Sequence, residues 1–386
     1  MPAQEEPYHG FEQGPIRPPS EAMSLLIRVS RNCPWNRCAF CPVYKGAKFS
    51  LRPVEHVLRD IDAVHRQVET LLDWSGADTP PPRDQLNTVL REVAPEERAA
   101  FSAAYHWIYA GGMKNVFLQD ANALFMRTGD LLRILGRIRQ RFPEVRRITS
   151  YARSHTLARK PAGDLAEMAG AGLNRLHIGM ESGSGAVLEA IEKGVTKAEQ
   201  ITAGQNVKAA GMQLSEYVMP GLGGRTLSDE HARESADALN QINPDFIRLR
   251  TLAIPANTPL HALWDAGTFE KMNDIEVARE IRLFLAELRG ITSMVKSDHV
   301  LNLFGELAGK LPEDQPAMLA LLDRFLAMPP VDQARFCAGR RMGMLQRLAD
   351  LEDPAKAAAV DAAMARLGIT PANVAEANDA LMQRFI

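Results

Sequence analysis

Between residues 24 and 255, short apolar runs rich in β-branched side chains alternate with amphipathic stretches, and this alternation restricts the fold more than any other property of the chain. Strands are expected at 24–30, 115–119, 147–151, 175–180, 213–219 and 245–252. Segments with helical spacing lie between them, at 54–72, 130–142, 164–171, 197–210 and 228–241. In the first of these, Val54, Val57, Leu58, Ile61, Val64, Val68 and Leu71 form one stripe, with Glu55, Arg59 and Asp62 off it, the pattern of a helix packed on a sheet. Strand–helix repeats build parallel sheets, because parallel neighbours need a crossover connection. About six such units predict an α/β fold, a partial (βα)6 TIM-type barrel. Functional side chains are then expected just beyond the strand C-termini.

The alternation ends at Pro255. Helices are expected at 275–288, 316–328, 331–348, 354–367 and 371–385, several with proline in the first turn, and 291–295 reads as one last strand. The domain reading is therefore a polar tail at 1–22, a barrel at 23–255 and a mainly helical C-terminal region at 256–386 covering the barrel. Residues 73–83 carry three successive prolines and are expected to form a loop. Forty-five basic residues against forty-seven acidic ones leave a formal charge of −2, which argues against a nucleic-acid partner. The N-terminus lacks a basic start followed by an apolar core, and no apolar run approaches the roughly 18 residues of a membrane span.

Three of the four cysteines sit in one stretch, Arg31-Asn32-Cys33-Pro34-Trp35-Asn36-Arg37-Cys38-Ala39-Phe40-Cys41-Pro42, directly after the first expected strand. Such clustering points to ligation in a reducing cytoplasm rather than to disulfides, and the cytoplasm is the expected location. An iron–sulfur cube held by three thiolates keeps one iron open to a non-protein ligand, whereas structural zinc takes four protein ligands. The nearest histidines, His9 and His56, keep no usual zinc spacing. Cys337, in a helical stretch, reads as a small buried hydrophobe.

Together these residues resemble the radical S-adenosylmethionine (SAM) superfamily, whose barrel carries a three-cysteine loop after its first strand. The usual spacing there is Cys-x3-Cys-x2-Cys; here four residues, Pro34 to Arg37, separate Cys33 from Cys38, and Phe40 holds the aromatic place before Cys41. Arg175-Leu176-His177-Ile178-Gly179-Met180-Glu181-Ser182-Gly183-Ser184 is similar to a fourth-strand motif of radical SAM methylthiotransferases and oxygen-independent coproporphyrinogen oxidases. Tyr217-Val218-Met219-Pro220-Gly221-Leu222 resembles the Gly-Leu-Pro-Gly loop after their fifth strand.

The resemblance implies an enzyme with two cofactors, a [4Fe-4S] cluster on Cys33, Cys38 and Cys41, and SAM. It implies oxygen-sensitive chemistry in which SAM is cleaved reductively to a 5′-deoxyadenosyl radical that abstracts hydrogen from a small, anionic substrate. Phe40 would lie against the adenine, Glu181 would accept from the ribose hydroxyls and Lys193 would neutralise the SAM carboxylate. Gln119, Asp120 or Asn122 would accept from the SAM ammonium. Arg153, Ser182 and Tyr217 lie on the same expected rim. An external electron donor such as flavodoxin or ferredoxin is the implied partner. An RNA-modifying enzyme of the same superfamily and a non-catalytic iron–sulfur or zinc protein are the competing readings.

Arg248 and Arg250 alternate with Ile247 and Leu249 and so share one face of a strand. Buried there, they need either internal carboxylates or a carboxylate-bearing substrate. Ser297-Asp298-His299 either closes the barrel mouth over the substrate or caps a helix.

Overall fold

The computed structural model describes residues 6–383. Contacts divide the chain into two compact units. The first comprises residues up to Asn36, Val43–Ile178 and Asn206–Gln213; the second comprises Arg37–Pro42, Gly179–Gln205 and everything from Leu214 onward.

In the first unit, β1 (Leu25–Arg28) is followed by the short antiparallel pair β2 (Ser30–Arg31) and β3 (Ser50–Leu51), and then by α1 (Val54–Ser75). Next come α2 (Arg83–Glu92), α3 (Arg98–Tyr109), β4 (Asn115–Gln119), α4 (Thr128–Arg141), β5 (Arg147–Ala152), α5 (Ser154–Leu157), α6 (Ala162–Gly170) and β6 (Leu173–Glu181). Parallel pairing runs in the order β1, β4, β5, β6, with Arg28 opposite Gln119 and Tyr151 opposite His177. The α1 stripe is buried at Val57, Leu58, Ile61, Val64, Val68 and Leu71, and the helix packs against α3 and α4. The polar tail is not loose from Tyr8 to Ile16. Tyr8 donates to Asp60 (2.9 Å), and the Gln119 amide bridges Gly14 and Ile16. Residues 1–5 of that tail lie outside the described residues.

The second unit continues with α7 (Gly185–Ala190), α8 (Lys197–Ala209), β7 (Gln213–Val218), α9 (Ser228–Ile242), β8 (Phe246–Leu249), α10 (Pro259–Asp265), α11 (Asp274–Glu287), β9 (Met294–Lys296) and β10 (Gly309–Lys310). It ends with α12 (Gln315–Leu326), α13 (Pro330–Arg341), α14 (Pro354–Leu367) and α15 (Val374–Met382). Strands β7, β8 and β9 pair in parallel and β10 returns antiparallel to β9. Asn273 starts α11 by accepting from the Ile275 and Glu276 amides, and Glu276 reaches back to its N–H, a reciprocal cap that satisfies otherwise orphaned donors. Helix α11 packs against α9 and α12, and α13 against α14 and α15.

Several boundaries differ from the sequence expectation. The proline loop is shorter, because α1 runs on to Ser75 and α2 begins at Arg83. The helix expected at 331–348 stops at Arg341, two residues before Gly343, whose φ of 73° ends a helix readily. The last helix covers Val374–Met382 rather than 371–385. The expected strand at 291–295 begins three residues later, as β9, because Ile291 is spent in the core before pairing starts.

Candidate functional site

In the first unit, the groups beyond β4 anchor the cysteine loop. Asp120 has no exposed surface and accepts from Arg28 at 2.8 and 3.2 Å, from the Asn32 amide at 3.2 Å and from the Tyr44 hydroxyl. Burial, and then the neighbouring Asp120 charge, push the Tyr44 phenol far above its ordinary range, so it stays a donor. Asn32, immediately before Cys33, has φ 67° and its amide donates to Lys48 O at 2.6 Å. Asn36 has φ 48° and donates to the Tyr44 and Ala47 carbonyls. Asparagine tolerates this left-handed backbone better than other side-chain-bearing residues. Two such turns let the longer gap between Cys33 and Cys38 bulge.

The three side chains at and just beyond the end of β4 that were expected to receive an ammonium are therefore all engaged within the protein. Gln119 holds the N-terminal segment, Asp120 holds the loop, and Asn122 donates to Thr156 Oγ1 (2.8 Å) while accepting the Arg153 amide (3.3 Å). The Arg153 guanidinium lies 5.2 Å from the centre of the Trp35 ring, a cation–π distance.

In the second unit, the segment carrying Cys38, Phe40 and Cys41 is pinned by its backbone. Ala39 N–H donates to Ile191 O (2.8 Å), Leu260 N–H to Ala39 O (3.0 Å) and Cys41 N–H to Cys38 O (3.3 Å). Ala39 packs with Val187, Ile191, Met219 and Leu222, and Phe40 lies against the same cluster.

Glu181 ends β6 with φ 63°, a conformation a bulky residue holds only when its surroundings impose it. Its Oε1 accepts from Lys193 Nζ at 3.2 Å, its carbonyl accepts the Met219 N–H at 2.9 Å, and its Oε2 is buried without a hydrogen-bond partner. Lys193 Nζ is also 5.6 Å from the centre of the Phe40 ring. The absence of a side chain at Gly179 makes this arrangement feasible, since a Cβ there would stand 2.2 Å from Glu181 Oε1.

Sequence reasoning missed Glu216. It lies on β7, fully buried, with Oε2 unpartnered, and burial and then the Glu181 charge raise its carboxyl well above the ordinary range. A glutamate inside the run Leu214-Ser215-Glu216-Tyr217-Val218 was the available signal. Tyr217 is buried on the same strand. Ser182 faces elsewhere: its hydroxyl receives the Ser184 N–H at 3.0 Å and bonds His231 Nδ1 at 2.8 Å. Because a carbonyl can only accept, His231 Nε2 donates in its 3.1 Å contact with Met219 O.

The two β8 arginines have different fates. Arg248 is buried, bonds Ser215 Oγ at 3.2 Å and is ion-paired with Asp298. Arg250 lies just beyond the strand and is exposed. Burial and then Arg250 lower the His299 pKa to about 4, leaving a neutral ring. Its Nδ1 accepts the Leu301 amide at 3.4 Å, which leaves Nε2–H as the free donor. Cys337 is buried in α13, and burial raises its thiol pKa well above the ordinary value.

The sequence profile of the radical SAM superfamily matches residues 27–236. The chain belongs to the radical SAM superfamily. It is accordingly an enzyme, with the α/β fold of the superfamily's partial TIM barrel and the superfamily's two cofactors, a [4Fe-4S] cluster and SAM. No curated protein matches it by sequence. Among solved structures it is similar to methylornithine synthase (PylB), at 13% identity and TM-score 0.42 over 85% of this chain and 84% of that one. It is also similar to the archaeal Methanocaldococcus infernus Elp3 with an N-terminal deletion, at 16% identity and TM-score 0.38 over 48% of each chain. The radical SAM methyltransferase TsrM from Kitasatospora setae, with cobalamin and a [4Fe-4S] cluster bound, aligns at 14% identity and TM-score 0.45 over 89% of this chain and 62% of its own. The radical SAM chain thus spans about half the length of the Elp3 structure.

The residues present fit these cofactors. Three partly exposed cysteines, none in a disulfide, lie in one loop. Two carboxyl groups, each with one buried and unpartnered oxygen, lie beside one ammonium and match a ligand carrying both hydroxyls and a carboxylate. Among the described residues, no helix is long and apolar enough to cross a membrane.

Proposed function

We propose that this enzyme abstracts hydrogen from a small anionic substrate whose carboxylate is received by Arg250. One observation supports this reading above others: Arg248 is neutralised by Asp298, whereas Arg250 forms no ion pair among the described residues and stands beside a neutral His299. A carboxylate arriving there meets one uncompensated guanidinium and one N–H donor, a combination suited to planar recognition.

The bound cofactors would supply the radical chemistry; the protein's part is to hold and orient. Cys33, Cys38 and Cys41 are the proposed cluster ligands. Lys193 would meet the SAM carboxylate, Glu181 Oε2 would accept from a ribose hydroxyl, and Phe40 would present a ring face to the adenine; the Lys193–Glu181 pair, the unpartnered Oε2 and the Lys193–Phe40 contact support these roles. Glu216, whose carboxyl burial raises well above the ordinary range, adds a further hydrogen-bonding group there. Gln119, Asp120 and Asn122 act by fixing the loops around the site. An external flavodoxin or ferredoxin as electron donor, a cytoplasmic location and a C-terminal region from residue 256 belong to the same proposal.

The test is anaerobic reconstitution followed by dithionite and SAM. The expected product is 5′-deoxyadenosine, and its absence despite a full cluster and bound SAM would refute the reading. Metabolite fractions separated by anion exchange should stimulate that product only when they contain retained anions, and Arg250→Gln should remove the stimulation. Stimulation confined to the neutral fraction would overturn the anionic assignment.

A further inference from the structure

The second unit contains a cavity of about 210 Å³ where the loops after β7 and β8 meet the start of α11, α13 and α15. Its body is apolar, with Met272, Ile275, Val277 and Ala334 in the lining, and Cys337 contributes a protonated thiol. Asp274, Asn378, Asp379 and Lys271 form its polar part. Asp274 is ion-paired with Arg341 and Asp379 with Lys271, so the formal charges cancel. An ionic ligand would enter without a counter-charge of its own and would pay its full desolvation.

One group is left over. Asn378 is 3% exposed; its Nδ2 donates to Asp274 Oδ2 at 2.9 Å, but its Oδ1 is buried with no hydrogen-bond partner. Buried amide oxygens are nearly always satisfied, and an exception requires an explanation. A cavity of about 150 Å³ accommodates benzene, so this one has room for a ring and a few further atoms.

We propose that this cavity is a second small-molecule site, taking a neutral ligand of single-ring size whose one hydroxyl or N–H donor bonds Asn378 Oδ1. The site does not depend on the substrate reading above, because Arg250 and His299 are absent from its lining. It shares a loop with the cofactor-side residues. Gly221 lines the cavity, while Met219, two residues earlier, donates its N–H to the Glu181 carbonyl.

The test uses the full-length, cluster-reconstituted protein saturated with SAM, titrated with 4-fluorophenol and 4-fluorotoluene and followed by fluorine NMR. The phenol should bind about two- to tenfold more tightly than the toluene, the difference one buried neutral hydrogen bond supplies. Asn378→Leu should bring the phenol down to the toluene's affinity. Ala375→Trp, at an exposed lining position that leaves the core untouched, should abolish binding of both and keeps the test decisive if the Asn378 variant fails to fold. Equal affinity of the two probes for the wild-type protein, or binding unchanged by Ala375→Trp, would overturn the proposal.

Discussion

Removing the carboxylate of Asp120 tests whether this residue organises the cysteine loop from within the first unit. In Asp120→Ala, the Arg28 guanidinium, 13% exposed, keeps only Glu12 as a counter-charge, at 2.7 Å, while the Tyr44 hydroxyl and the Asn32 amide both lose their acceptor. Breaking a buried pair from one side costs about 3–5 kcal/mol, and a stranded neutral donor about 1–3 kcal/mol. Glu12 offsets part of the first cost, and groups in one network do not add. The expected loss is therefore about 3–5 kcal/mol in total. Asp120→Asn keeps the volume and one acceptor and should fall between the two. Urea unfolding of the apo-protein, followed by circular dichroism, measures the stability; iron per chain after anaerobic reconstitution measures the consequence for the loop. A variant within about 1 kcal/mol of wild type that also loads iron fully would show that Asp120 holds nothing of importance, and the anchoring account would be wrong.

Lys193→Met should weaken SAM binding tenfold to a hundredfold, the equivalent of about 1.5–3 kcal/mol for a hydrogen bond to a charged group; equilibrium dialysis under anaerobic conditions measures it, and unchanged affinity would reassign Lys193 to a purely internal ion pair. His299 has a folded pKa near 4 against about 6.5 unfolded. The unfolded state therefore binds the proton first, and the stabilisation present above about pH 6.5 is lost as the pH falls toward 4, by at most about 1.4 kcal/mol per unit. Urea midpoints at pH 7.5 and pH 5 should differ less in His299→Gln than in wild type, and identical differences would contradict the buried, neutral ring.

The repeating pattern of the sequence was easier to read than its exceptions. The strand 115–119 and the helix 354–367 coincide with β4 and α14, because both carry their own boundaries: Asn115 and Gln119 flank an apolar run, and Asp353-Pro354 and Gly368 punctuate a helix. Helix α2 escaped notice because none of its residues is buried, so no apolar stripe marks it. Arg248 and Arg250 do share a strand face by periodicity, but β8 ends at Leu249. Alternation cannot show where a strand stops, and one residue decides between a buried ion pair and an exposed cation. Glu216 was hidden for a related reason. Parallel strands covered on both sides read as continuous apolar runs, and an acid within one looks like a residue on an outer face until its surroundings are known. Gln119 ends β4 and Asp120 and Asn122 follow it, while their partners, Gly14, Ile16, Arg28, Tyr44 and Thr156, come from distant parts of the chain.

The left-handed turns at Asn32 and Asn36 bear on how the metal enters. Both are fixed by hydrogen bonds to Asp120 and to the carbonyls of residues 44, 47 and 48, none of which uses a cysteine sulfur. The chain entropy that these bonds remove is not charged to the bonds between metal and sulfur. Replacing either asparagine with alanine would shift that ordering cost onto metal insertion, so the defect would appear as weaker iron retention against a competing chelator in a chain that still folds.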